Sequence, residues 1–127
     1  MESVTNNQLT DKIIACAFKV SNTLGSGFLE KVYENALAHE LRKVGLSVDQ
    51  QSPIQVIYDG IVAGDFYADL LVEKRIILEL KVVETLNDIH MAQCLNYLKA
   101  TGLSICLLIN FHAPKVEIKR VVYHLKE

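Results

Sequence analysis

Residues 76–83 read IILELKVV, an apolar run interrupted only by Glu79 and Lys81. A stretch that is apolar on both faces is typical of a central strand in a sheet that is covered by helices. Side chains two apart in a strand point to the same face, so Glu79 and Lys81 should lie together, opposite Leu78 and Leu80. Because unpaired charges in a buried strand are costly, the stretch predicts a charged partner or a bound ion beside them.

The strand before this stretch adds a second acidic residue. An Asp-Gly pair at residues 59–60 is a two-residue hairpin turn, and it predicts a long strand over residues 61–72. A charged turn then leads back into the central strand, which brings Asp69 beside Glu79 to within about one residue of register. The side chains of Asp69, Glu79 and Lys81 are therefore expected to converge.

Two carboxylates one strand spacing apart repel each other, and without a cation one of them would take up a proton. A divalent ion removes this conflict, and oxygen ligands favour Mg²⁺ or Mn²⁺. Such an ion acidifies a bound water and offsets charge that develops on phosphorus, while the amine of Lys81 orients the water. The cluster thus predicts phosphodiester hydrolysis. The alternative is a buried ion pair of Lys81 with Asp69 and Glu79.

Helices precede and follow these strands. The first is expected to begin at Thr10 or Asp11 and to end at Gly25, and the second to span residues 28–44 and end at Gly45. The predicted apolar stripe of the second helix consists of Leu29, Val32, Tyr33, Ala36, Leu37 and Leu41.

A third helix is expected to begin at Asn87 or Asp88 and to end at Gly102. The remaining strands are predicted over residues 54–58, 103–109 and 116–125, the last of them at or near a sheet edge, and residues 46–51 are a candidate for an additional short strand. The order α-α-β-β-β-α-β-β indicates an α/β fold, in which an antiparallel meander and a helical crossover give a mixed sheet flanked by helices.

Composition limits the class of protein. With 127 residues, 50% of them apolar, and a net charge of −2, residues 1–127 are expected to form one domain without disulfides, and bulk positive charge does not explain nucleic-acid binding. Three cysteines in apolar stretches, Cys16, Cys94 and Cys106, indicate buried thiols and a cytoplasmic location. No targeting segment or membrane span is expected, and no cofactor beyond the divalent ion.

The strand motif resembles the signature of the PD-(D/E)XK nuclease superfamily, an acid on one strand followed by (D/E)-x-K on the next. Here Asp69 is the first acid, and Glu79, Leu80 and Lys81 form the second element, while Ala68 replaces the proline of the signature. The resemblance implies a restriction-endonuclease-like fold and a Mg²⁺- or Mn²⁺-dependent nuclease. Nucleic acid would be the substrate, DNA in preference to RNA, with Asp69 and Glu79 as metal ligands.

Two further motifs resemble narrower groups. Residues 27–33, GFLEKVY, are similar to the motif of the GxxExxY protein family, and Gln93 with Tyr97 is similar to the Q-x-x-x-Y helix of the RecB-like branch. The resemblance implies that Glu30 is an additional metal or water ligand. It also implies that Gln93 and Tyr97 flank the site, where they contact the substrate or brace Lys81.

Each of these residues has a simpler interpretation. An acid such as Glu30 is favoured in the first turn of a helix by the helix dipole. Tyr33 falls in the apolar stripe, and Gln93 and Tyr97, four residues apart, can satisfy each other. For the whole chain, the alternative to a nuclease is a catalytically inactive nuclease-fold module for binding or assembly. A homodimer is compatible with both interpretations.

Overall fold

The computed structural model describes residues 4–112 and 114–125, and over these residues the chain forms three helices and five strands. In chain order they are α1 Asn6–Leu24, α2 Glu30–Lys43, β1 Val48–Tyr58, β2 Ile61–Val72, β3 Ile76–Lys81, α3 Asp88–Thr101, β4 Ile105–Asn110 and β5 Glu117–Val122. The predicted α/β order is confirmed.

The strands form one sheet in the order β1-β2-β3-β4-β5. Only β3 and β4 are parallel among the neighbouring pairs of this sheet, and the other neighbours are antiparallel. A parallel neighbour requires a crossover of a dozen or so residues, and α3 supplies it. The predicted mixed sheet is therefore confirmed, with β1 and β5 as its edges.

β3 lies at the centre of this sheet, between two layers of apolar side chains. Ile76, Leu78 and Leu80 pack with α1 and α2, whereas Ile77 packs on the opposite face with α3. Glu79 has the same strand parity as Ile77, so it projects toward the side of the sheet that α3 covers. The predicted central strand is confirmed, although β3 ends at Lys81.

The predicted start of α1 at Thr10 or Asp11 is wrong. The helix begins at Asn6, because the Thr5 hydroxyl accepts from the Gln8 N–H and the Gln8 side chain accepts in return from the Thr5 N–H. This reciprocal pair of hydrogen bonds satisfies two N–H groups that a helix start leaves unpaired. The predicted ends at Gly25 and Gly102, and the cap at Asn87, are confirmed.

The predicted stripe of α2 is partly wrong. Leu29 is 82% exposed, because the helix begins only at Glu30 and Leu29 is its N-cap, and Val32 within the helix is also exposed. The buried face consists instead of Tyr33, Glu34, Leu37, Ala38 and Leu41. A carboxylate therefore lies on the inward face of this helix.

The two strands predicted on either side of Pro53 are one continuous strand, β1. Pro53 is tolerated because β1 is an edge strand, where a missing N–H can face away from the ladder. Within β1, Gln51 adopts a left-handed backbone conformation with φ of 52°. It lies between Gln50 and Ser52, which pair with Leu70 and Ala68, so Gln51 is level with Asp69.

Candidate active site

The candidate site lies where the hydrogen-bond ladder between β2 and β3 ends. The last paired position on this side is Leu70 opposite Leu78. Beyond it, side chains replace main-chain partners: the Asp69 N–H donates to Glu79 Oε1 at 3.1 Å, and the Leu80 N–H donates to Asp69 Oδ2 at 2.8 Å. The two acids are therefore held side by side by the backbone of the two strands, at the register that the sequence predicts.

Both acids resist ionisation. Glu79 is 4% exposed, and burial, with the charge of Asp69 second, raises its pKa from 4.5 to about 8. Burial also raises the pKa of Asp69; the hydrogen bond from the Leu80 N–H opposes this, and the charge of Glu34 adds to it. The ammonium of Lys81 lowers both pKa values, but burial outweighs it. A simple ion pair with Lys81 therefore does not neutralise the pair.

A cleft of about 310 Å³ opens beside Asp69, between α2 and the sheet. Glu30, the first residue of α2, lines this cleft together with Asp69 and Leu80. The charge of Glu30 also contributes to the raised pKa of Glu79. The predicted residues Glu30, Asp69, Glu79 and Lys81 thus share one electrostatic neighbourhood.

Glu34 lines the same cleft and was not predicted from the sequence. It is buried, and it accepts hydrogen bonds from Lys31 Nζ at 3.1 Å, from Gln50 Nε2 at 2.8 Å and from Gln51 Nε2 at 2.7 Å. Its spacing from Ala38 and Leu41 is that of one helix face, and a charge on a buried face is a signal for such a residue.

Gln51 connects this buried acid to the strand pair. Its Nε2 donates to Glu34 Oε1 and lies 3.5 Å from Asp69 Oδ1. A residue other than glycine is held in the left-handed region only where its surroundings fix it, and such positions concentrate at functional sites. The conformation of Gln51 therefore serves to aim its amide between the two carboxylates.

Gln93 and Tyr97 lie on α3. The Gln93 amide donates to the Tyr97 hydroxyl at 3.0 Å, as their spacing of four predicts. Burial, followed by the charge of Glu79, raises the pKa of Tyr97, so its hydroxyl lies in the field of the acidic pair. Both side chains line a second groove, between α3 and β1–β2, and not the cleft that contains Glu30.

Tyr33 is part of the core. Its hydroxyl donates to the Gly25 carbonyl at 2.7 Å and accepts from the Phe28 N–H at 3.3 Å, and its ring stacks on Phe111 with centroids 4.7 Å apart. Tyr33 therefore fixes the connection between α1 and α2. Through that connection it determines where α2 begins and where Glu30 is placed.

The donor set is suited to a hard divalent cation, although its geometry is incomplete. Across residues 4–112 and 114–125, no three His, Cys, Asp or Glu side chains are gathered closely enough to form a ready metal site. Asp69 and Glu79 nevertheless are two carboxylates whose shared burial favours a bound positive charge. A cation would replace the proton that Glu79 holds near neutral pH.

Comparisons with known proteins agree with this fold. A family model described as PD-(D/E)XK nuclease superfamily matches residues 7–121. No curated protein sequence matches significantly.

In the described part of the chain, no helix has the length and apolar character needed to cross a membrane.

Solved structures show the same fold. The crystal structure of an alkaline exonuclease (LHK-Exo) from Laribacter hongkongensis matches with a TM-score of 0.55 and 13% identity, over 95% of this chain and 72% of that one. The crystal structure of SSO0001 matches with a TM-score of 0.56 and 14% identity, over 94% of this chain and 63% of that one. The chain thus spans less than two thirds of SSO0001.

Proposed function

The chain belongs to the PD-(D/E)XK nuclease superfamily, and from that premise we propose that it is a Mg²⁺- or Mn²⁺-dependent nuclease that hydrolyses phosphodiester bonds, in DNA in preference to RNA. The observation that carries this proposal is the hydrogen-bonded arrangement of Asp69 and Glu79, whose pKa values are raised despite the nearby Lys81. Within the superfamily we assign the chain to the GxxExxY family and the RecB-like branch, on residues 27–33 and on Gln93 with Tyr97.

We assign the acids to metal binding and Lys81 to orienting the water that acts as the nucleophile. Asp69 and Glu79 would hold the ion, with Glu30 in support. When bound, the ion supplies positive charge that acidifies a water and offsets the charge on phosphorus. Lys81 is half-buried beside both acids, and its ammonium orients the attacking water. Gln93 and Tyr97 contact the substrate from α3.

Asn110 is assigned as a positioning residue for Lys81. It is buried, and it lies opposite Lys81 in the β3–β4 pairing. Its side chain accepts from the Val83 N–H at 3.0 Å and donates to the Val83 carbonyl at 2.7 Å. These two bonds fix the chain that leaves β3, two residues beyond Lys81.

A catalytically inactive module that binds nucleic acid or a partner remains the second candidate. The observation that favours it is that the described residues gather no three metal-ligating side chains. Calorimetric titration with Mn²⁺ separates the candidates: heat that disappears in Asp69→Asn supports the nuclease, and absence of binding by the unaltered chain supports the module.

Cleavage of nucleic acid is the direct test. The purified chain should cut DNA with Mg²⁺ or Mn²⁺ and not with EDTA, and Lys81→Ala should abolish cutting while the melting temperature is retained. Lys74→Ala is the matched control, since Lys74 is exposed in the β2–β3 turn, where its ammonium pairs with Asp49. Equal cutting by Lys81→Ala and the unaltered chain would eliminate the proposed mechanism.

A further inference from the structure

A groove of about 690 Å³ lies between α3 and the β1–β2 hairpin. This volume is within the range of ligand-binding sites, roughly 300 to 1,000 Å³. Its walls are mainly apolar, with Val56, Ile57 and Phe66 on the hairpin and Ile89 and Ala92 on α3. The fold does not require this surface to be apolar, because these side chains face solvent.

Phe66 is an exposed ring in a fixed position. It is 43% exposed, and its centroid lies 5.8 Å from that of Tyr97, which is 6% exposed. A Cβ at Gly64 would lie 3.0 Å from Cε2 of Phe66. Because Gly64 has no Cβ, the ring can lie back over its own strand, between Gly64 and Tyr97. Phe66 thus offers a preorganised aromatic surface to the groove.

The polar groups of the groove suit a nucleotide. Gln55, Gln93 and Asn96 carry amides, which both donate and accept hydrogen bonds as base edges do, and Lys99 is the charged residue of the lining. By contrast, the cleft beside Asp69 is lined by three acids, Glu30, Glu34 and Asp69, against one cation, Lys31, which pairs with Glu34. A polyanion is therefore attracted by the groove and is repelled by the cleft unless a cation occupies it.

The groove approaches the acidic pair from the α3 side of the sheet and shares no lining residue with the cleft beside Asp69. Gln93 and Tyr97 line the groove, and Tyr97 packs in one cluster with Ala68 and Ile77, which lie next to Asp69 and on the same strand as Glu79. Burial, followed by the charge of Glu79, raises the pKa of Tyr97. A ligand against Tyr97 therefore lies next to the acidic pair.

We infer that this groove takes an unpaired base, stacked on Phe66 with a flanking phosphate at Lys99, and that the substrate is a single strand or a strand end that is already unpaired. Stacking on an aromatic side chain requires a free base face, which a paired and stacked duplex does not offer. This inference rests on the proposed nuclease function, because it assigns the substrate class of the same site.

The test is binding of labelled strands in an Asp69→Asn background with Mg²⁺, where cleavage is blocked. Fluorescence anisotropy should show a short oligothymidylate bound at least about tenfold more tightly than a blunt duplex of the same length. Phe66→Ala should weaken binding of the single strand by about ten- to a hundredfold. Gly64→Ala, which displaces the ring without removing it, should cause a smaller loss in the same direction.

A strand with the same sugar-phosphate backbone but without bases separates stacking from charge. Its affinity should be unchanged by Phe66→Ala and lowered by Lys99→Ala, which removes a phosphate contact. Tyr67→Ala is the matched control, since Tyr67 is also exposed on β2 and does not line the groove; its affinities should equal those of the background.

Three outcomes would overturn the inference. The first is equal affinity for duplex and single strand, and the second is a single-strand affinity that Phe66→Ala leaves unchanged. The third is that Phe66→Ala changes the sedimentation of the protein but not its affinity for the strand. The last would mean that a second copy of the chain covers the groove. Nuclease activity is scored separately on the unaltered chain. Duplex cutting that is insensitive to Phe66→Ala defeats only this inference, whereas Phe66-dependent binding without any cutting defeats only the nuclease.

Discussion

β2 passes through two contrasting surroundings. Its second half, which includes Ala68, Leu70 and Val72, is buried beside β3. Its first half, including Ile61, Val62 and Phe66, pairs with β1 and leaves large apolar side chains exposed. The buried half and its neighbour β3 carry the charges of Asp69, Glu79 and Lys81, whereas the exposed half is mainly hydrophobic and has Asp65 as its one charged residue.

Both halves depart from what stability alone would select, in opposite directions. A buried Glu79 is unfavourable where Leu would pack well, and an exposed Ile61 is unfavourable where Thr or Lys would be solvated. Departures of this kind concentrate at functional sites. We therefore infer that β2 connects two parts of one functional surface, an acidic part and an apolar part.

The largest expected effect is on stability in the acidic half. Burial raises the pKa of Glu79 from 4.5 to about 8, so stability that is fully present below pH 4.5 is lost as pH rises through about 8. Glu79→Gln avoids this loss. Above about pH 8 and in EDTA, its free energy of unfolding should exceed that of the unaltered chain by roughly 3 to 5 kcal/mol.

Urea denaturation across pH measures this difference. The two chains should be nearly equal in stability below pH 4.5 and diverge above it, and Glu79→Gln should lose nuclease activity. A constant difference at every pH would show that Glu79 does not titrate as the structure implies.

Matched truncations in the two regions should lower the free energy of unfolding by amounts that differ by a few kcal/mol. Leu78→Ala removes a fully buried side chain of β3 and should cost about 2 to 5 kcal/mol. Ile61→Ala removes an exposed side chain at the start of β2 and should cost about 0.5 kcal/mol or less. Thermal or urea unfolding checks both. Comparable losses would mean that the hairpin packs against more of the chain than the structure shows.

Binding of Mn²⁺ should depend on pH in the acidic half. Glu79, with a pKa of about 8, must lose its proton to become a ligand. Below pH 8, the affinity for Mn²⁺ should therefore increase about tenfold for each unit by which the pH is raised. Calorimetry at several pH values measures the slope, and Glu79→Gln should flatten it. An affinity that is independent of pH would argue against Glu79 as a ligand.

The smallest expected effect concerns the connection that places Glu30. Tyr33→Phe keeps the ring on Phe111 and removes the hydroxyl bonds to Gly25 and Phe28. The loss should be about 1 to 2 kcal/mol, because two main-chain groups lose their partner. Urea unfolding measures it, and His39→Ala, an exposed change on the same helix, is the control expected to stay near zero.

The convergence of Asp69, Glu79 and Lys81 followed from local rules. An Asp-Gly turn fixes a hairpin, strand side chains alternate, and a charged turn sets the register of the next strand. These rules act over short separations along the chain, so the sequence predicted the order of helices and strands, the mixed sheet and the pairing of the two acids. They also predicted the Gln93–Tyr97 contact, which spans one helical turn.

The sequence did not predict features that depend on residues far apart in the chain. Glu34 and Gln51 meet only because α2 packs across β1 and β2, and no periodic pattern encodes the left-handed backbone of Gln51. The groove with Phe66 depends on how far the hairpin extends past β3 and on a glycine two residues away. Packing of distant segments, which periodicity does not report, decided these features.

The conformation of β1 has a consequence for colloidal behaviour. An eleven-residue edge strand beside an apolar hairpin invites another chain to add a strand and begin fibril growth. Pro53 has no amide hydrogen to donate to an added strand. The left-handed backbone of Gln51 interrupts the row of main-chain donors and acceptors two residues before Pro53. Both features of β1 therefore disfavour aggregation of the protein at high concentration.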